Sequence, residues 1–116
     1  MDRMRILVVD DEPFILDLIE MILLGDGHTV KAVTDGKQAL QCFEDATYDV
    51  VVTDGSMPEL DGLSLAKEIK ARKPAQKIVL LTGSGEEERL PSNIDAVLGK
   101  PVQIDVLRDL LKRLTT

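Results

Sequence analysis

The sequence predicts a doubly wound α/β fold, with five parallel strands in the order 2-1-3-4-5 and helices on both faces of the sheet. Three observations predict it. Continuous runs of β-branched residues and leucine recur at 6–9, 50–53 and 78–82, as expected of strands buried on both faces. Amphipathic stretches at helical spacing lie between such runs. The connections are short, which favours one parallel sheet built from right-handed strand–helix–strand units. At 116 residues the chain is one domain, and 2-1-3-4-5 is a common doubly wound order at this size.

The elements follow in order. Ile6-Leu7-Val8-Val9 forms the first strand and runs into Asp10 and Asp11. Pro13 sits where a first-turn proline is tolerated, and Ile15, Leu18, Ile19 and Ile22 repeat at helical spacing up to Gly25. Residues 28–33 make a weaker strand near a sheet edge, and 36–44 a short second helix. After the third strand, Leu65, Ala66 and Ile69 mark a helix that ends before Pro74. Beyond the fourth strand, residues 83–93 leave room for little more than a turn of helix before Pro91 stops it. The fourth helix is therefore expected to be short, irregular or missing. A weak fifth strand at 96–99 precedes a helix striped by Leu107, Leu110, Leu111 and Leu114.

Composition narrows the function. Hydrophobic residues at 44% and charged residues at 30% are an ordinary globular balance. A net charge of −7 argues against a nucleic-acid surface, and the lysines between Lys67 and Lys73 are interrupted by Glu68, Ile69 and Ala71. No apolar run approaches the twenty or so residues of a membrane span. The N-terminal stretch lacks a signal-peptide core and cleavage site, so a cytoplasmic location is expected. The single Cys42 forms no intramolecular disulfide and joins no ligand cluster, and core packing explains it.

In a doubly wound sheet, ligands sit beyond the carboxyl ends of the strands at the switch point. Those ends carry Asp10 and Asp11, Asp54, Thr82 and Lys100, on strands that the expected order makes neighbours. Clustered carboxylates repel one another, and a divalent cation relieves the repulsion. Oxygen ligands with room for water suit Mg²⁺. One carboxylate would remain as a nucleophile, with Lys100 and the Thr82 hydroxyl placed to contact a phosphoryl group.

At this point the residues resemble a known family. Val8-Val9-Asp10-Asp11-Glu12-Pro13, Asp54 followed by Met57-Pro58 and Asp61-Gly62, Leu81-Thr82-Gly83 and Gly99-Lys100-Pro101 are similar to the receiver-domain signature of response regulators. The resemblance covers essentially all of residues 1–116 and implies a flavodoxin-like sheet and a phosphorylation switch. It implies Asp54 as phosphoacceptor, taking a phosphoryl group from a histidine kinase or phosphotransfer protein. It implies Mg²⁺ held by Asp10 (through water), Asp11, Asp54 and the Ser56 carbonyl, with Thr82 and Lys100 contacting the phosphoryl group. Lys100-Pro101 matches a bond that is cis in the family. Such a domain catalyses its own phosphorylation and slow dephosphorylation and controls a downstream protein or output domain.

Two departures bear on output. Val97 stands where the family usually has an aromatic that moves with Thr82, and Thr82 and Lys100 are only 18 positions apart. These keep a second reading open, that of a receiver-like interaction module that no longer cycles through phosphorylation. A phosphohydrolase that forms an aspartyl phosphate would need a second Asp two residues after its nucleophile on the first strand. Asp10 is followed by Asp11 and Glu12, so that spacing fails.

Overall fold

The computed structural model describes residues 3–83 and 94–115. Its elements are β1 (Arg5–Val9), α1 (Pro13–Gly25), β2 (Thr29–Val33), α2 (Gly36–Asp45), β3 (Val50–Asp54), α3 (Gly62–Arg72), β4 (Lys77–Thr82), β5 (Ala96–Gly99) and α4 (Ile104–Thr115). The strands form one sheet in the order β2-β1-β3-β4-β5, every pair parallel. This is the doubly wound order expected from the sequence. The fourth helix, expected to be short, irregular or missing, falls outside the described residues.

Alternation along the central strands splits the core in two. Ile6 and Val8 join Leu16, Ile19 and Leu23 of α1 and Leu107 and Leu111 of α4 on one face. Leu7 and Val9 join Leu65, Ala66 and Ile69 of α3 on the other. Each such leucine or isoleucine contributes about 1.5–3 kcal/mol on burial, and covering both faces fixes the strand register.

The buried face of α1 is Leu16, Ile19 and Leu23, whereas Leu18 is 39% exposed. The sequence spacing had grouped Leu18 with Ile15, Ile19 and Ile22. This helix is apolar on nearly every side, so spacing alone does not single out the face that the sheet covers.

Asp95, just before β5, ties two further elements to that edge strand. Its Oδ2 accepts the Ile78 N–H at 2.8 Å and lies 3.0 Å from Lys70 Nζ on α3. Asp95→Ala leaves the Ile78 N–H without its acceptor and the Lys70 ammonium with the longer, 3.4 Å bond to the Pro74 carbonyl. A loss of about 2–3 kcal/mol is expected, read as a lower urea midpoint.

His28 is buried under the start of the sheet, and its Nδ1 accepts the Met4 N–H at 3.1 Å. That bond leaves the proton of the neutral ring on Nε2, which is buried without a hydrogen-bond partner. Burial holds the His28 pKa below the usual histidine value, against the pull of the Asp26 carboxylate. A depressed folded pKa gives stability that is present above the unfolded value of about 6.5 and lost as pH falls through the folded one. His28→Asn keeps an acceptor for Met4 and removes the titration. The parent's urea midpoint should fall as pH drops below about 6.5, and the variant's should fall less.

Candidate functional site

The carboxyl ends of the strands are pinned by bonds that extend the ladders. Asp10 N–H donates to the Val33 carbonyl at 3.2 Å, Gly55 N–H to Leu81 at 2.8 Å, and Lys100 N–H to Thr82 at 2.8 Å. Asp10, Asp54 and Thr82 are therefore buried side by side at one rim of the sheet. The loop after Asp54 is held from below by buried Met57 and closed by the Gly62 N–H donating to the Gly55 carbonyl at 3.1 Å. Asp61 caps α3 by accepting the Ser64 N–H at 2.8 Å. Lys100 follows β5, and its bond to Pro101 is cis.

These constraints bring three carboxylates to one ammonium. Lys100 Nζ lies 3.0 Å from Asp54 Oδ2, 3.6 Å from Glu12 Oε1 and 3.7 Å from Asp10 Oδ2. Carboxylate oxygens of Asp10, Glu12 and Asp54 all lie within 4.8 Å of one another. Asp54 Oδ1 also accepts the Ser56 N–H at 3.2 Å.

Of the residues singled out in the sequence, Asp10, Asp54 and Lys100 meet directly. Thr82 is buried at the adjoining strand end, one register step beyond the Asp54–Leu81 pair. Ser56 contacts Asp54 through its N–H. Asp11 is exposed and stands outside the carboxylate group, and Glu12 takes the third place. The cause is local. Asp10 Oδ1 accepts the Glu12 N–H at 2.9 Å, an Asx-type turn that folds the chain back over the strand end. The one sequence signal for Glu12 was its place two residues after an aspartate that ends a strand.

The electrostatics are those of a charge-loaded pocket. Burial raises the Asp10 pKa above the usual aspartate value. The Glu12 N–H opposes the rise, the Asp54 charge adds to it, Lys100 lowers it, and Glu12's charge raises it again. Burial works to lower the Lys100 pKa, but the hydrogen bond to Asp54 and the charges of Asp10, Asp54 and Glu12 outweigh it, leaving the pKa above the usual lysine value. Lys100 is thus a firm cation. Asp10 Oδ2 is buried with no hydrogen-bond partner. An oxygen-only donor set with one unsatisfied buried carboxylate oxygen fits a hard divalent cation.

An apolar groove of about 440 Å³ begins at the site, lined by Ile15, Leu18, Pro101 and Val102, with Glu12 and Lys100 among its walls. Nearby on α1, Phe14 is 81% and Met21 64% exposed. Among the described residues, no helix is long and apolar enough to cross a membrane.

Comparison with known proteins places this geometry in context. Residues 6–112 match the family described as Response regulator receiver domain. The chain is 34% identical over 115 residues to the transcriptional regulatory protein TcrA of Mycobacterium tuberculosis, covering 96% of this chain and 46% of that protein. It spans less than half the length of the first curated relatives it matches. Among solved structures, response regulator protein TrrA from Thermotoga maritima, in complex with Mg²⁺-BeF, is 38% identical with a TM-score of 0.89, covering 95% of this chain and 97% of that one. Histidine kinase ThkA in complex with response regulator protein TrrA gives 36% identity and a TM-score of 0.85, covering 97% of this chain and 98% of the matched one.

Proposed function

This chain belongs to the response regulator receiver domains, and on that premise we propose that residues 1–116 act as one phosphorylation switch with Asp54 as phosphoacceptor. The observation that carries the proposal is the buried Asp54 carboxylate, with Lys100 Nζ 3.0 Å from Oδ2 and the Asp10 and Glu12 oxygens beside it.

An Asp54 oxygen attacks the phosphorus of a partner's phosphohistidine. The new P–O bond forms as the P–N bond breaks, the electron pair stays on the imidazole nitrogen, and that nitrogen takes up a proton. Mg²⁺ held by Asp10 and Asp54, with Asp11 and the Ser56 carbonyl completing the set, would neutralise the phosphoryl oxygens and the repulsion among the carboxylates. Lys100 moves its ammonium from Asp54 to a phosphoryl oxygen, and the Thr82 hydroxyl donates to another. The acyl phosphate offers both residues a phosphoryl oxygen as acceptor, which shifts the conformational balance toward the state that engages it. A downstream protein or an output domain beyond this segment reads the change.

The partner is a histidine kinase or phosphotransfer protein, as supported by the likeness to the ThkA-bound regulator. A donor histidine must reach Asp54, so its docking face borders the site. The groove sharing Glu12 and Lys100, with exposed Phe14 and Met21 on the same helix, offers that face. Phe14→Ser should slow transfer from the kinase by about tenfold through lost apolar contact. Uptake from a small-molecule donor should be unchanged.

The test of the function is intact mass after incubation with a small-molecule phosphodonor, with Mg²⁺ or with chelator. One phosphoryl group gained only with Mg²⁺ supports the switch. No adduct in either condition supports an interaction module instead.

A further inference from the structure

Three carboxylates share one ammonium in this site, and they differ in their freedom to move. Asp10 is tied to the Glu12 N–H and Asp54 to the Ser56 N–H, and both side chains are buried. The Glu12 side chain is 62% exposed and that of Lys100 24%. A divalent cation seated on Asp54 and Asp10 Oδ2, an oxygen with no hydrogen-bond partner, conflicts with an ammonium 3.0 Å from Asp54 Oδ2 and 3.7 Å from Asp10 Oδ2. Lys100 must therefore withdraw. The carboxylate already 3.6 Å away, and free to follow it toward solvent, is Glu12.

We propose that Glu12 is a positioning residue that takes over the Lys100 ammonium, releasing Asp54 Oδ2 and Asp10 Oδ2 to a divalent cation. The role rests on the receiver reading above and deepens it, because it sets how readily the site loads. Glu12 acts here through Lys100 rather than as a general negative charge. The same carboxylate lies in the wall of the apolar groove, so a partner seated there would meet the residue that governs loading.

The experiment is isothermal titration of metal-free protein with MgCl₂ for the parent, Glu12→Gln, Lys100→Gln and the double variant. Glu12→Gln is expected to weaken Mg²⁺ binding roughly fivefold, the size of one short-range charge contact in water. In the Lys100→Gln background, with no ammonium to relocate, the same change should cost less than about twofold. Glu12→Asp, which keeps the charge, should recover part of the affinity. Equal losses in both backgrounds would show a plain charge effect and overturn the proposal, as would no loss in Glu12→Gln. A parent that takes up no Mg²⁺ would overturn the cation site itself, a result distinct from either.

Discussion

Gly62→Ala is expected to cost about 3 kcal/mol, a large share of the roughly 5–15 kcal/mol that holds a domain of this kind. A Cβ at this position would fall against the Asp54 carbonyl oxygen, 2.8 Å from Gly55 Cα and 2.9 Å from Leu80 Cδ1. Two of those contacts are backbone, and Leu80 is packed in the sheet, so none can yield cheaply. The gain from alanine's better helix propensity is only about 1 kcal/mol and does not offset the clash. Gly36 makes the contrast. The three atoms nearest its Cβ all belong to the Leu60 side chain, the closest being Cδ2 at 2.8 Å, and none is backbone. Urea unfolding should show a sharply lower midpoint for Gly62→Ala with a similar slope. Because Asp54 itself is pushed, the surviving folded protein should also bind Mg²⁺ less well.

Asp10→Asn should act in opposite directions with and without the cation. In chelator the variant should be the more stable protein at neutral pH, because burial disfavours the Asp10 charge. The sign follows from linkage. A carboxyl whose folded pKa is raised favours folding below its unfolded value of about 3.8, and that contribution is lost as pH rises through the folded pKa. The parent should therefore lose stability relative to the variant over that rise, and the two should converge in acid. Asn keeps an oxygen for the Glu12 N–H, so the turn survives. With Mg²⁺ at about a hundred times its dissociation constant, the parent gains about 2.7 kcal/mol by mass action, and the variant gains far less. Thermal melts in chelator and in Mg²⁺ should show the two proteins exchanging rank.

The fold was legible in the sequence because its signals are periodic and redundant. The runs at β1, β3 and β4 are apolar without interruption, and only a two-sided parallel sheet buries such strands. The convergence of Asp10, Asp54 and Lys100 was legible for the same reason, since strand order fixes which ends are neighbours. Glu12 was not legible. Its approach depends on a single Asx turn at the end of β1, a local backbone event with no period. The exposure of Leu18 was not legible either, because α1 is apolar on nearly every side and the choice of buried face is made by the sheet. The role of His28 was also hidden, because a histidine at the end of the Gly25-Asp26-Gly27 turn carries no sign that Met4 will bring it a backbone N–H.

The most direct measurement is the intact mass of the parent and Asp54→Ala, side by side, after incubation with Mg²⁺ and a small-molecule phosphodonor. A receiver switch centred on Asp54 predicts one phosphoryl group on the parent and none on the variant. An equal adduct on both proteins would place the acceptor elsewhere and contradict the role given to Asp54.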